Sequence, residues 1–459
     1  MAALFTNIFH YIYVPSYFLR PIFNTKGPDI MSIIKKFDTE TKLTFEVMPP
    51  LYLPFYNRWG QNAYYTYDPF DYDPLNIRAV STSGSPVILV GNKFFGFMNE
   101  TGGRFAYDGK YTLTITCPAG QSLWYSEDCR PLEEWSAYND TVISGLPPAQ
   151  KPEPFWGGLE YCTWVDQKKE AVLLGDEDKY MWPVLTEDYV YKYMRRVEKL
   201  GLPKGKLTID DGWDIRYAPD GKICYGNWQI DRSKFPHMEQ LVKDMTNEGF
   251  IPGLWFAPFM MTPNSEYAKN NHHLLGETFE ENPALETWER HFIVPDPVVE
   301  KYYEEIFTPF VEMGFRKFKL DMAYGPKQDM KKLLAMIRKV VKKLEPSVEL
   351  ECHVPDIFVS RYCDTVRIND VSFENPDWRG VSTEHYKVCR YSSPDKILNL
   401  DHLGTNMPTP KEEDFMAHSE MLLKLKGGYP CVSLLPDFFG TKASEKFTGM
   451  IHDWVSNTK

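Results

Sequence analysis

The chain has 459 residues, of which 43% are hydrophobic, so it is long enough for a large domain and a smaller one, each with its own core. A net charge of −12 without a basic cluster argues against nucleic acid or an anionic membrane as partner, and more weakly against acidic substrates. The eight cysteines form no Cys-x-x-Cys pair, so their spacing predicts no metal site, and we expect free thiols in a cytoplasmic protein.

The N-terminal segment does not have the pattern of a targeting signal. Residues 1–24 are rich in Phe, Tyr and Ile, but no positive charge precedes this run and no small-residue cleavage site follows it. Polar residues and a proline interrupt the run, so it would span a bilayer poorly. Met31 resembles a natural start, and we predict that residues 1–30 are an upstream extension or a loosely held tail.

Residues 31–150 are predicted to form a small antiparallel β-sandwich. Short alternating runs, separated by Gly, Pro, Asn and Asp, occur at 42–47, 86–90 and 111–116, and no helical period lasts long in this region. The proline-rich segment 147–154 reads as a stiff linker. We therefore place a domain boundary there.

After the linker, strand patterns alternate with helical ones, which predicts a (β/α)₈ barrel over residues 151–459. Thr186 is a candidate N-cap for the first clear helix. The predicted strands are 159–164, 206–210, 252–257, 317–321, 348–352, 365–369, 396–400 and 431–435. The predicted helices are 187–200, 236–249, 297–313, 327–344, 411–426 and 443–456.

An open doubly wound sheet is the alternative fold. That fold would need a glycine-rich phosphate loop after its first strand. The residues that follow the first strand, Cys162-Thr-Trp-Val-Asp, offer none. The barrel is therefore favoured.

Five predicted strands end in polar or aromatic groups, as expected where a barrel builds an active site. They are the ends of 161–164, 207–213, 254–258, 316–321 and 366–370. Cleaving a glycosidic bond with retention needs two carboxyl groups about 5–5.5 Å apart, one as nucleophile and one as acid and then base. The fourth and sixth strands deliver such a pair, Asp321 and Asp370.

Two basic residues accompany these carboxyl groups. Lys319 lies two residues before Asp321 on the same strand face and is predicted to hold Asp321 ionised. Arg367 precedes Asp370 by three residues, where it could hydrogen-bond a sugar or orient the loop. By itself, a Lys-x-Asp pattern would indicate an ordinary salt bridge at the end of a strand. The four other strands that also end in polar or aromatic groups favour an active site instead.

Asp210 and Asp211 end the second strand together. Paired carboxylates can bind a metal, share a proton, or accept hydrogen bonds from neighbouring sugar hydroxyls. Consecutive strand residues point in opposite directions, so a turn at Gly212 is needed to bring both into one pocket. An acidic helix N-cap turn is the alternative for Asp211.

Aromatic side chains also gather near the predicted rim. The chain is 15% aromatic, and flat rings cover the apolar face of a pyranose well, although most aromatic residues pack in cores. The tryptophans at or just beyond strand ends are predicted to form a wall for a ring-shaped ligand, and they are Trp164, Trp213, Trp228 and Trp255.

Two strand ends carry histidine, and neither points to a known catalytic motif. Cys352 and His353 end the fifth strand, where His353 is either a hydrogen-bonding group of the pocket or a structural residue. Asp401 and His402 follow the seventh strand with the same two options. The sequence has no Ser/His/Asp motif, Walker loop or His-Glu-x-x-His helix.

At these residues the chain resembles glycoside hydrolase family 36, the melibiases and raffinose synthases, and more distantly the retaining α-glycosidases of family 31. The motifs that carry the resemblance lie at 210–213, 226–236, 249–259, 314–321 and 363–370, together with Cys352. The resemblance implies an N-terminal β-sandwich, a catalytic (β/α)₈ barrel and double displacement without a cofactor.

The resemblance also implies roles for individual residues. Asp321 matches the nucleophile and Asp370 the acid/base. Asp210 and Asp211 match the groups that bind the 4- and 6-hydroxyls of the sugar. The residues that match the pocket wall are Lys319, Trp255, Cys352 and Arg367. This chain has one residue between Ile368 and Asp370 where the family usually has two, so Asp364 or Asp377 remain alternatives for the acid/base.

The sequence thus favours a retaining exo-α-glycosidase, in first place an α-galactosidase, with an α-linked galactoside or another oligosaccharide as partner. An α-glucosidase-type hydrolase or a galactosyl transferase would use the same scaffold. A non-catalytic carbohydrate-binding protein is the alternative from another class. No cofactor is implied, and a homo-oligomer is compatible with this interpretation.

Overall fold

The computed structural model describes residues 32–48, 51–52, 80–82, 85–218, 221–279, 289–323, 325–368, 370–371 and 376–458. The predicted N-terminal extension, residues 1–30, lies outside the described residues.

The predicted β-sandwich is confirmed. Its two antiparallel sheets have the strand orders β1-β9-β6-β5-β3 and β2-β8-β7-β4. Burial alternates along β8, where Leu113, Ile115 and Cys117 face the core between the sheets. The strands are β1 Ile33–Lys36, β2 Thr41–Glu46, β3 Leu51–Tyr52, β4 Val80–Thr82, β5 Val87–Val90, β6 Lys93–Phe97, β7 Arg104–Tyr107, β8 Thr112–Cys117 and β9 Ser122–Ser126.

A helix, α1 (Pro131–Ser144), lies in the region where no lasting helical period was expected, and that expectation is wrong. The helix begins with a proline and has acidic residues in its first turn, which are helix-start signals. Its Glu134 accepts a hydrogen bond from Nε1 of Trp124 at 2.6 Å. Asn139 donates to the Tyr391 carbonyl at 2.6 Å, so α1 joins the sandwich to the barrel.

The predicted (β/α)₈ barrel is confirmed as a closed ring of eight parallel strands. The eighth strand lies three residues earlier than predicted, because the buried apolar run that contains it continues past its end through Leu434 and Leu435. The strands are β10 Glu160–Cys162, β11 Lys206–Ile209, β12 Ile251–Phe256, β16 Lys317–Leu320, β17 Glu349–Cys352, β18 Thr365–Arg367, β19 Ile397–His402 and β20 Gly428–Val432. Between β12 and the next barrel helix, β13 Met260–Met261, β14 Leu275–Phe279 and β15 Arg290–Ile293 form a small separate sheet.

All six predicted barrel helices are confirmed, and Thr186 caps α4 by accepting from the Tyr189 amide at 3.2 Å. Four helices were missed, the short helices α3 and α6 and the longer helices α2 and α9. Gly380, Ser382 and Thr383 give α9 low helix propensity. The helices are α2 Trp164–Leu173, α3 Glu177–Tyr180, α4 Glu187–Lys199, α5 Met238–Asn247, α6 Glu266–Asn270, α7 Pro297–Met313, α8 Lys327–Leu344, α9 Trp378–Ser392, α10 Glu412–Leu422 and α11 Thr441–Thr458. Over the described ranges, no helix has both the length and the apolar character needed to cross a bilayer.

Charged side chains fill the lower interior of the barrel. Lys317 contacts the carboxylate of Glu160 and lies 2.5 Å from Oε2 of Glu351, and Lys206 lies 3.0 Å from Glu349. All five residues are at most 1% exposed. Burial disfavours a charged ammonium, but the neighbouring carboxylates raise the pKa of Lys317. We call these five residues the ionic floor.

Neutral groups complete the ionic floor. The Tyr429 hydroxyl donates to Glu349 at 3.0 Å, and Asn399 donates to Glu351 at 2.7 Å. Buried charges are tolerated only when they are paired and hydrogen-bonded. In the described part of the chain these contacts meet that condition except at Oε1 of Glu351, which has no hydrogen-bond partner and lies 4.0 Å from Nε of Arg367. The polar network therefore extends from the floor toward the carboxyl ends of the strands.

Lys317→Met should destabilise the protein by about 3–5 kcal/mol, because it leaves two buried carboxylates without their cation. The free energy of unfolding from urea titration measures this loss. The matched control is Lys301→Met, since the Lys301 side chain is 76% exposed and its ion pair with Glu305 spans 3.5 Å. The control should change stability by no more than about 0.5 kcal/mol. Equal small effects of the two substitutions would contradict the structural role of the ionic floor.

Candidate active site

The carboxyl ends of the barrel strands place several acidic groups around one basic side chain. Arg367, the last residue of β18, is 5% exposed. Its Nη2 lies 3.1 Å from Oδ1 of Asp321, and its Nη1 lies 2.9 Å from Asp370 and 3.2 Å from Asp401. One guanidinium therefore joins three carboxyl groups that come from different strands.

Asp321, which directly follows β16, is held by several donors. Nε1 of Trp255 donates to its Oδ2 at 3.1 Å, and the Met322 amide donates to its Oδ1 at 2.9 Å. Met322 has a φ of 57°, so the chain turns sharply at this point. Burial by itself would raise the pKa of Asp321, but the Arg367 guanidinium, with smaller contributions from His353 and Lys319, outweighs it and lowers the pKa to about 2. Asp321 is therefore ionised at neutral pH.

The predicted pairing of Lys319 with Asp321 is wrong. Nζ of Lys319 lies 2.7 Å from Oδ2 of Asp210, which directly follows β11. The strand β12 lies between β11 and β16 in the barrel, so the long Lys319 side chain reaches past the adjacent strand through the barrel interior. Arg367, rather than Lys319, makes the larger contribution to keeping Asp321 ionised. Lys319 also lowers the pKa of Asp321, but by less than Arg367 does.

Asp370 lies at the rim, with 40% of its side chain exposed. Nδ2 of Asn406 donates to its Oδ2 at 3.1 Å. Burial opposes ionisation, but the Arg367 guanidinium and a hydrogen bond with Asp401 lower the pKa of Asp370. Burial and the neighbouring Asp370 raise the pKa of Asp401 well above its ordinary value, so Asp401 holds the proton that the two carboxyl groups share.

Asp210 is held on both of its oxygens. Lys319 and the Cys162 thiol contact Oδ2, the thiol at 3.0 Å, and the Asp211 amide donates to Oδ1 at 2.8 Å. The Asp210 amide in turn donates to Oγ1 of Thr163 at 2.9 Å. These contacts fix the carboxylate at the carboxyl end of β11.

Asp211 enters the same region because the chain turns at Gly212, whose φ is 115°. This predicted turn is confirmed, and Asp211 does not cap a helix. Nε1 of Trp182 donates to Asp211 at 3.0 Å, and Arg216 pairs with both Asp211 and Asp214. Burial raises the pKa of Asp211 to about 6, although the Arg216 guanidinium opposes this shift.

The predicted wall of four tryptophans is only partly right. Trp255 contacts Asp321, and Trp164 donates to Oδ1 of Asn406 at 3.1 Å on the rim. Trp213 is fully buried, and its Nε1 donates to the Trp255 carbonyl at 2.8 Å. Trp228 is 3% exposed and donates to the Tyr302 hydroxyl at 3.0 Å. Their hydrogen bonds thus direct Trp213 and Trp228 to core groups, whereas Trp255, although only 2% exposed, contacts Asp321.

Cys352 and His353 are both 1% exposed at the end of β17. Nε2 of His353 accepts a hydrogen bond from the Ala323 amide at 2.9 Å and lies 3.6 Å from Asp321. Burial lowers the pKa of His353 to about 4, so the imidazole is neutral at physiological pH. His353 supports the turn after Asp321, and burial raises the pKa of Cys352.

The two alternatives for the acid/base lie elsewhere. Asp364 precedes β18 at the opposite end of the strand from Arg367 and pairs with Arg338 and Lys342, each at 2.8 Å. Asp377 caps α9 by accepting from the Gly380 amide. Neither carboxyl group accompanies Asp321, so Asp370 remains the candidate.

The structure adds groups that sequence reasoning did not assign to the site. They are Cys162, Trp182, Arg216, Asp401 and Asn406. The sequence did point to Asp401, because it follows a predicted barrel strand, where active-site residues are expected. Trp182 and Asn406 lie in loops, where the sequence alone gives no indication of the direction of a side chain.

An eight-stranded barrel with two carboxylates held by one arginine at the carboxyl ends of its strands is the architecture expected of a glycoside hydrolase. Residues 164–304 match the melibiase family model, which confirms the resemblance over that segment. The α-galactosidase AgaA of Geobacillus stearothermophilus is 26% identical over 130 residues, a stretch that covers 28% of this chain and 17% of that protein.

Solved structures with the same fold include α-galactosidases and a family 31 α-xylosidase. An α-galactosidase from Thermus thermophilus, in complex with p-nitrophenyl α-D-galactopyranoside, superposes with a TM-score of 0.59 at 15% identity, covering 92% of this chain and 87% of that one. A family 31 α-xylosidase from a soil metagenome has a TM-score of 0.59 at 12% identity, covering 90% of this chain and 64% of that one. The fold implied by the resemblance is thus confirmed. The chain spans less than two thirds of the length of several of these relatives.

Proposed function

We propose that the protein is a retaining exo-α-glycosidase, and specifically an α-galactosidase that hydrolyses terminal α-linked galactose through a glycosyl-enzyme. The observation that carries the proposal is the Arg367 guanidinium, which contacts both Asp321 and Asp370. A retaining mechanism needs two such carboxyl groups close together. The similarity to α-galactosidases supports the choice of sugar.

Asp321 is proposed as the nucleophile. Its carboxylate is ionised, and Arg367, Trp255 and the Met322 amide fix its orientation. A fixed anion beside the anomeric carbon reduces the entropy lost in reaching the transition state. Its attack forms a covalent glycosyl ester and expels the leaving alcohol.

Asp370 is proposed as the acid/base. It is the more exposed of the two carboxyl groups and lies at the rim, where a leaving group would depart. The neighbouring Asp401 shares a proton with it, so the pair as a unit can protonate the leaving oxygen. Asp370 would then take a proton from the water that attacks the glycosyl ester.

Asp210 and Asp211 are proposed to select the sugar. Both carboxyl groups are buried at the same strand end and held by neighbouring donors, which leaves rigid acceptors for a pair of sugar hydroxyls. Acceptors fixed in this way discriminate strongly between epimers, because a misplaced hydroxyl leaves a buried polar group unpaired. The resemblance to family 36 implies that these acceptors take the 4- and 6-hydroxyls of galactose.

The test is release of nitrophenol by purified protein from p-nitrophenyl α-galactoside, α-glucoside and α-xyloside. We expect the kcat/KM for the galactoside to exceed the kcat/KM for the glucoside and for the xyloside by at least about tenfold. The structural similarity to a family 31 α-xylosidase is the reason for the other two substrates.

Asp321→Asn is the control for contaminating enzymes, since it removes the nucleophile but preserves the shape of the side chain. It should abolish release while circular dichroism shows an unchanged fold. Faster release from the glucoside or xyloside would contradict the choice of sugar. No release from any substrate would favour a transferase or a binding protein.

Asp370→Ala should affect substrates according to their leaving groups. Hydrolysis of an alkyl or sugar α-galactoside should fall about 10²–10⁴-fold, because its alcohol must be protonated as it leaves. A dinitrophenyl α-galactoside needs little protonation and should lose much less in the bond-cleavage step, measured by the pre-steady-state burst of dinitrophenol. Asp364→Ala is the matched control and should show no dependence on the leaving group. Equal losses on both substrates in Asp370→Ala would contradict its role as acid.

A further inference from the structure

Three side chains of the types that bind metals converge near the candidate site, one from the first strand of the barrel and two from its last two strands. Cys162 ends β10, Cys431 lies in β20 and His402 ends β19. One potential ligand atom from each lies within 4.8 Å of the other two. All three residues are at most 3% exposed, so their side chains are held by packing.

The hydrogen bonds of His402 are incomplete. Its Nε2 lies 3.6 Å from Asp401 and 3.8 Å from Asp370, which is too far for good hydrogen bonds. Its Nδ1 is buried and has no hydrogen-bond partner among the described residues. A buried polar atom without a partner is costly, and an imidazole nitrogen in that state is ready to bind a cation.

We propose that Cys162, Cys431 and His402 form a binding site for a thiophilic divalent cation of the Zn²⁺ type. Two thiolates and one imidazole are a recognised zinc ligand set, with a fourth position left for water or another oxygen. In a tetrahedral site with Zn–S bonds of about 2.3 Å, the two sulfurs lie about 3.8 Å apart. The ligand atoms of the cluster lie within 4.8 Å of one another, so the side chains must move closer together by about 1 Å at most to hold the ion.

Binding would exchange protons for the cation. Each cysteine gives its thiol proton to solvent as its sulfur bonds to the metal, and His402 binds as the neutral imidazole. The nearby Lys319 ammonium, 3.8 Å from the Cys162 sulfur, favours the thiolate but opposes the cation. Asp210 lies 3.0 Å from the same sulfur and supplies the compensating negative charge.

The site would act as an inhibitory one. The Cys162 thiol now donates to Asp210, and a metal-bound thiolate cannot donate. Asp210 would lose one of the contacts that fix its position, so sugar binding would weaken. This consequence for activity rests on the proposed function, whereas binding of the cation does not.

Sequence spacing could not reveal this site. Zinc sites recognised from sequence have ligands a few residues apart, but Cys162 and Cys431 come together only because the first and last strands close the barrel. The prediction of no metal site was drawn from that spacing alone.

Titration of the reduced, metal-free protein with Co²⁺ tests the proposal, because thiolate ligation gives a charge-transfer absorption independent of enzyme activity. The wild type should show this band, saturating at about one equivalent, and Zn²⁺ should remove it. Cys431→Ser should weaken cobalt binding at least about tenfold. Cys117→Ser removes a buried thiol of the sandwich and should leave the band unchanged.

Two results would overturn the proposal: no thiolate band in the wild type, or an equal band in Cys431→Ser. If Cys431→Ser does not fold, the X-ray absorption spectrum of the wild-type cobalt complex replaces it. Two sulfur neighbours of the cobalt at about 2.3 Å are expected, and a shell of oxygen and nitrogen atoms alone would refute the site. An increase in KM with Zn²⁺ that is absent in Cys431→Ser would support the inhibitory role, and an unchanged KM would refute that role only.

Discussion

The arrangement of the candidate site depends on one buried cation, the Arg367 guanidinium. It contacts Asp321, Asp370 and Asp401 at 2.9–3.2 Å, so three acidic groups that would otherwise repel one another lie together. Without it, burial would raise the pKa of Asp321 and leave a poor nucleophile. Arginine suits this position because its planar fork presents several donors and keeps its charge when buried.

The guanidinium itself is supported from below. Its Nε lies 4.0 Å from Glu351, a member of the ionic floor, which is paired with Lys317. Acids and bases thus alternate in layers along the barrel axis, from Glu349 and Lys206 at the bottom to Asp321 at the top. Such a polar interior stabilises the fold less than an apolar core would, but its ion pairs and hydrogen bonds fix the side chains of the candidate site in position.

Much of this could be predicted from sequence, because strands end at definite residues and a barrel gathers those ends on one face. Asp321 and Asp210 were expected at strand ends for that reason, and they directly follow β16 and β11. The partner of Lys319 was predicted wrongly, because pairing depends on which strand the side chain reaches. Trp213 and Trp228 were assigned to the pocket because position along a strand does not reveal whether a side chain faces the pocket or the core. The polar barrel interior was also missed, because Lys317 and Glu351 read as surface residues in an alternating strand.

The measurement that tests the central claim most directly is the trapping of a glycosyl-enzyme. The protein is incubated with an activated fluorinated galactosyl donor whose covalent intermediate breaks down slowly, then digested and sequenced by mass spectrometry. The account predicts one galactosyl adduct on the peptide that contains Asp321, and none in Asp321→Asn. An adduct on Asp370 or another carboxyl group, or turnover with inversion and no adduct, would contradict the assignment of Asp321 as the nucleophile held by Arg367.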